Sequence, residues 1–99
     1  MSYEWNELKR LSNLRKHGVD FADMEEFGWD TALYDADENA DYGEDRFVAL
    51  GEFRADIYVV VFTLRGSATR IISARKADKR EKHRYEKESF WPRRPDFRS

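Results

Sequence analysis

Ile57-Tyr58-Val59-Val60-Val61-Phe62-Thr63-Leu64 is apolar on both of its alternating faces, the pattern of a strand covered on both sides, and it reads as the spine of a sheet. Arg46 to Gly51 precedes it as a second strand, and Arg65-Gly66-Ser67 turns it into a third, Thr69 to Lys76. Three consecutive antiparallel strands therefore form a meander. Thr31 to Tyr34 is a weaker fourth candidate, divided from the meander by a polar, acidic loop over Asp35 to Asp45. The third strand runs directly into Ala77-Asp78-Lys79-Arg80-Glu81. Strict alternation puts Arg70, Ile72, Ala74 and Lys76 on one side of it and Ile71, Ser73 and Arg75 on the other, so each face reaches the same end of the sheet with a cation. Cations fixed at a sheet end suit phosphate recognition. The alternative is a solvated charge run whose arginines pair with carboxylates.

Working outward, Asn6 reads as the N-cap of a first helix that carries Leu8, Leu11 and Leu14 at helical spacing and stops at Gly18. Lys9, Arg10, Asn13, Lys16 and His17 share the side opposite the leucines, which reads as either a basic patch or a solvated outer face. Asp20 caps a second, short helix with Phe21, Met24 and Phe27 on one core stripe and Gly28 after it, and Val19 can staple against Met24. On the far side of the meander, Asp78 and Glu81 form a capping box that opens an almost wholly charged helix to about Lys87 or Glu88, with Tyr85 as its main apolar anchor. The tail from Ser89 to Ser99 is proline-broken, basic and aromatic, and is expected to be irregular.

Ninety-nine residues suffice for one domain and one core. The chain has no cysteine and only two histidines, His17 and His83, which argues against disulfides, thiolate sites and a zinc constellation; no cofactor is expected, and a reducing cytoplasm is the simplest compartment. No apolar leader or membrane-spanning run is visible. The net charge of −2 hides a dipolar distribution: residues 1–19 carry +2, residues 20–64 carry −11 and residues 65–99 carry +7. The basic poles attract polyanions, and the acidic middle suits a basic protein.

Four blocks in order carry a resemblance: Tyr3-Glu4-Trp5-Asn6-Glu7; Asn13-Leu14-Arg15-Lys16-His17-Gly18-Val19; Glu44-Asp45-Arg46-Phe47-Val48-Ala49-Leu50-Gly51; and Arg70-Ile71-Ile72-Ser73-Ala74-Arg75-Lys76-Ala77 with Glu81 and Tyr85-Glu86. Together they resemble BrnT, the toxin of BrnT/BrnA type II toxin–antitoxin systems, over roughly residues 3 to 88. The resemblance implies a RelE-like α+β fold, with a domain over 1–88 and an appended tail over 89–99. It also implies a ribonuclease that blocks translation, a cognate BrnA-like antitoxin, and operator DNA bound only through the toxin–antitoxin complex. The expected architecture is α+β: a mainly antiparallel sheet of three to four strands, an N-terminal helical pair and a C-terminal basic helix.

Cleaving RNA without a metal requires removing the 2′-hydroxyl proton, stabilising charge on the phosphoryl oxygens and protonating the leaving 5′-oxygen, so cations should dominate the site. Carried over from the resemblance, His17 is the candidate acid or base, because an imidazole ordinarily titrates at about 6.5. Its rival role is a helix-terminal hydrogen bond. Arg46 and Arg75 are the candidate phosphate clamps, with structural ion pairs as the rival. Lys16, Arg65, Lys76 and Arg80 are secondary substrate-binding cations, and Tyr85 offers a phenol or a stacking ring. The competing function classes are a noncatalytic nucleic-acid- or protein-binding module and a degenerate toxin acting only in operon regulation. A basic antitoxin segment is expected against the acidic loop, and the two-faced apolar strand suggests a homodimer.

Overall fold

The computed structural model describes residues 2–37 and 44–90, with Phe90 described in its backbone only. The expectations for the tail beyond Phe90 and for the centre of the acidic loop lie outside those residues. The described chain runs β1 (Ser2–Trp5), α1 (Glu7–His17), a 3₁₀ helix (Phe21–Glu26), β2 (Leu33–Ala36), β3 (Phe47–Phe53), β4 (Asp56–Arg65), β5 (Ala68–Lys76) and α2 (Lys79–Phe90). The class is α+β, as the sequence predicts, but the sheet has five strands rather than three or four, ordered β1-β5-β4-β3-β2. The β3–β4–β5 meander is antiparallel and β2 joins its far edge antiparallel. The unforeseen strand is β1, which pairs parallel with β5 from Ser2↔Ala68 to Trp5↔Ile71 and makes the sheet mixed. Four residues with no periodicity to read become a strand only because a partner 66 positions away offers them a free edge.

The local stops and starts follow the sequence. Asn6 Oδ1 accepts from the Lys9 amide at 3.1 Å, Gly18 ends α1 at φ 74°, and the Asp20 carboxylate accepts from the Ala22 amide. Asp78 and Glu81 close the expected capping box, each accepting from the other's backbone N–H at 2.8 and 2.9 Å. The second member of the N-terminal helical pair is a 3₁₀ helix, not an α-helix. Its Phe21 and Met24, with Val19 and Phe27, pack against Ala49, Phe53, Val60, Phe62, Ile71 and Ala74 on one sheet face. Gly51 lies under this layer: a Cβ there would sit 2.8 Å from the Phe27 ring, so the aromatic's seat requires glycine. Across the sheet, Tyr85 of α2 closes a smaller cluster with Leu50, Ile57 and Val59.

α1 is turned the other way from the expectation. Asn13 is its one buried residue, while Leu8, Leu11 and Leu14 are exposed. The reason is the sheet edge. β1 covers the outer edge of β5 only as far as Ile71, which leaves Ala74, opposite Val60 of β4 on its inner side, without a strand on its outer side. The Asn13 side chain replaces that strand: its Oδ1 accepts from the Ala74 amide at 3.1 Å and its Nδ2 donates to the Ala74 carbonyl at 2.8 Å and to the Val19 carbonyl at 3.0 Å. Buried backbone groups must be paired, and a leucine at position 13 could pair none of them.

Candidate functional site

The alternation expected along β5 is broken by a bulge. Phe62 opposes Ile71 but Val61 opposes Ser73, so Ile72 is an extra residue with no partner of its own. A bulge resets the pleat. Arg70, Ser73 and Arg75, opposite Thr63, Val61 and Val59, consequently share one face, while Ile71, Ala74 and Lys76, opposite Phe62, Val60 and Tyr58, share the other. This corrects the reading that put Arg70 and Arg75 on opposite sides. Four pairing steps separate the two arginines, roughly 13 Å along the strand, so they suit successive points of an extended polyanion rather than one phosphate, and each has a resting carboxylate partner, Glu4 at 3.9 Å from Arg70 and Glu81 at 2.9 Å from Arg75.

Ser73 also borders a second feature. Where Asn13 replaces the missing strand, α1 and the edge of β5 enclose a cleft of about 280 Å³ lined by Lys9, Ser12, Asn13, Lys16, His17, Ile72 and Ser73. Helical spacing explains the roster: positions 9, 12, 13 and 16 are separated by three and four residues and fall on one side of α1. Lys16 and His17 occupy its last turn, where the helix dipole favours cations. Among the described residues, no carboxylate forms an ion pair with Lys9, Lys16 or His17, and the hydroxyls of Ser12 and Ser73 stand beside them.

The other candidate residues divide by partner. Arg75 is committed to Glu81 through two 2.9 Å hydrogen bonds, which hold the Glu81 carboxyl below the usual range and raise the guanidinium's pKa. Arg65 donates twice to Glu44, and Lys76 lies 3.3 Å from Asp56. In these three the rival ion-pair reading describes the geometry found. Arg46 immediately precedes β3, half-buried, and Arg80 is exposed in the first turn of α2; neither has a carboxylate partner among the described residues. Tyr85 is only 6% exposed, its ring spent on the core beneath α2, which corrects its expected place as a stacking surface. His17 and Lys16 are thus brought together; Arg46, Arg65, Lys76 and Arg80 stand apart from their cleft.

Sequence reasoning placed Lys9 beside Lys16 and His17 but did not name it as a site residue, and it missed Ser12 and Ser73 as lining groups and Arg70 as a companion of Arg75. Ser12 was signalled by its helical spacing from Lys16. The bulge that recruits Arg70 has no local signal, because Ile72 fits the alternation it breaks.

Both features fall within one family match. Residues 5–81, from the end of β1 to the capping-box glutamate of α2, match the family model of the ribonuclease toxin BrnT of type II toxin–antitoxin systems. The chain belongs to the BrnT toxin family. A comparison with curated proteins found no match. Membership makes this BrnT chain the toxin of a type II toxin–antitoxin system, gives it ribonuclease activity and implies a protein antitoxin as partner. The matched span includes the cleft residues and Arg75 and excludes Tyr85. Among the described residues no helix is long and apolar enough to cross a membrane.

Proposed function

We propose that this BrnT chain is a RelE-like, metal-independent endoribonuclease that seats the scissile phosphate in the cleft between α1 and β5. The observation that carries the reading is the set of uncompensated cations there: Lys9, Lys16 and His17 share one concavity with two hydroxyls and no paired carboxylate among the described residues. In this mechanism an RNA 2′-hydroxyl attacks the adjacent phosphorus as its proton passes to a base. The P–O bond to the 5′-oxygen breaks, that oxygen takes a proton, and the products are a 2′,3′-cyclic phosphate and a 5′-hydroxyl. His17 is the proton-transfer group, Lys9 and Lys16 stabilise the extra charge on the phosphoryl oxygens, and Ser12 and Ser73 donate hydrogen bonds to them. Arg70 and Arg75 guide the flanking strand, and Arg46 and Arg80 extend the attraction. Translation is inhibited by loss of RNA. A BrnA-like antitoxin, its basic segment drawn to the acidic stretch of residues 20–64, neutralises the toxin, and operator DNA is bound through that complex.

The test is cleavage of naked RNA by antitoxin-free protein in EDTA. His17→Ala and Lys16→Ala are expected to lose about 100-fold or more, and Arg75→Ala less than about tenfold. If His17→Ala and Lys16→Ala cut at the wild-type rate, the cleft is not the site. If wild type cuts only when a divalent metal is restored, the metal-free mechanism falls. Uniform loss of RNA affinity in all variants, with a reduced salt slope and no cleavage by wild type, marks a binding module.

A further inference from the structure

The leucines that α1 turns away from the sheet form an ordered surface. Leu8, Leu11 and Leu14 are 78%, 44% and 38% exposed. At 100° per residue, Leu11 sits at the centre of this face, Glu7 and Arg15 lie about 40° to either side, and Leu8 and Leu14 about 60°. Along the helix the face reads Glu7-Leu8-x-x-Leu11-x-x-Leu14-Arg15, symmetric about Leu11 with the charge inverted at its ends. A two-fold axis through Leu11 would set a second α1 antiparallel, place Leu8 on Leu14 of the second copy, and bring Glu7 to Arg15 at both ends.

We propose that this face pairs two copies of the chain through antiparallel α1 helices. The charge inversion selects a second copy as the occupant, because opposite charges at symmetry-related positions are what a self-complementary surface needs. Arg15 has no carboxylate partner among the described residues. Glu7 already accepts from Arg10 on both oxygens and from the Trp5 ring N–H on Oε1, which leaves a lone pair on Oε2 for a further donor. The two-faced strand that first suggested a homodimer is β4, enclosed between β3 and β5, so the contact belongs to α1 instead. The cation cleft opens on the other side of the helix and stays accessible in the pair. An eleven-residue helix is only about 16 Å long, so the contact is small and the association belongs in the micromolar range.

The absence of cysteine makes the register testable. Sedimentation velocity of the intact chain from about 1 to about 300 µM should move from the 11.8 kDa monomer to twice that mass. Leu11→Glu should keep the protein monomeric with an unchanged circular-dichroism melt. Leu11→Cys, on the axis, should form a disulfide-linked dimer by itself, whereas Leu8→Cys and Leu14→Cys should cross-link to each other at least about tenfold faster than either does alone. A chain monomeric throughout the range would overturn the proposal, as would Leu11→Cys cross-linking no faster than Lys79→Cys on exposed α2. So would a dimer that Leu11→Glu leaves intact, or a leucine face shielded only when the antitoxin is added, which would make the antitoxin its occupant. No readout involves RNA, so failure here is distinct from failure of the ribonuclease mechanism.

Discussion

The two α-helices of this toxin dock on one sheet by opposite means. α1 has three leucines in a row and shows the sheet an asparagine. α2 is charged along almost its whole length and yet covers an apolar face. Each helix answers what the sheet leaves open. Beside α1 that is a bare strand edge, whose N–H and C=O demand a two-headed polar partner, and Asn13 supplies it. Beneath α2 it is an apolar patch bordered by charge: Tyr85 fills the patch, while Arg75–Glu81, Lys82–Asp56 and Arg84–Asp35 fasten the rim. The docking face of a helix is set by the surface it meets and not by its own richest stripe.

The sharpest way to break this contrast is Asn13→Leu. Were hydrophobicity in charge at α1, the change would be neutral or stabilising; because three buried hydrogen bonds are lost, urea unfolding should show a loss of about 3–4 kcal/mol. Tyr85→Ala removes the one buried α2 side chain among the described residues and should cost about 3 kcal/mol, with the amides of α2 exchanging faster while those of α1 keep their protection.

Acid should separate the helices further. Hydrogen bonds from Arg75 and Arg84 lower the pKa of Glu81 and Asp35, and Lys82, the Ile57 amide and Lys76 bring Asp56 to about 2. A carboxylate depressed in the folded state stabilises the fold above its unfolded pKa, and that contribution disappears as pH falls through the folded value. α2 should therefore loosen between about pH 4 and about pH 2, followed by hydrogen exchange, whereas on α1 the depressed carboxylate of Glu7 bonds Arg10 of its own helix and the Asn13 amide that docks α1 on the sheet has no proton to gain, so α1 should hold longer. The smallest effect belongs to Leu8→Ser. At the position least buried among the leucines it should move the melting free energy by no more than about 0.5 kcal/mol, against the 2–5 kcal/mol typical of a core leucine; a core-sized loss would contradict the orientation of α1.

The parts of the fold legible in the sequence are those governed by neighbours a few residues apart. Asn6, Gly18, Asp20 and the Asp78–Glu81 box act within one helical turn, and the meander is written in alternation and a tight turn. The Lys16–His17 pairing was legible for the same reason, since helix spacing decides which side chains share a side. β1, the Ile72 bulge and the inward turn of Asn13 were not, because each depends on a partner more than sixty residues away or on a register that local pattern does not contain. Arg75 illustrates the limit at the site itself: six residues from Glu81, it was visible as a cation, but only the turn from β5 into α2 decided that the two would bond.

Taken alone, the sequence determined the fold class, the helix starts and the stop of α1 at Gly18, the central strands and the presence of cationic poles, through steric and capping rules that operate locally; the end of α2, expected at Lys87 or Glu88, runs on through Ser89 to Phe90. Tertiary structure decided which of those cations remain uncompensated and which face of α1 meets solvent. Hydrogen-bond satisfaction at a strand edge and the charge around each cation are properties of groups brought together from distant positions, and they exist only once the sheet has closed around them.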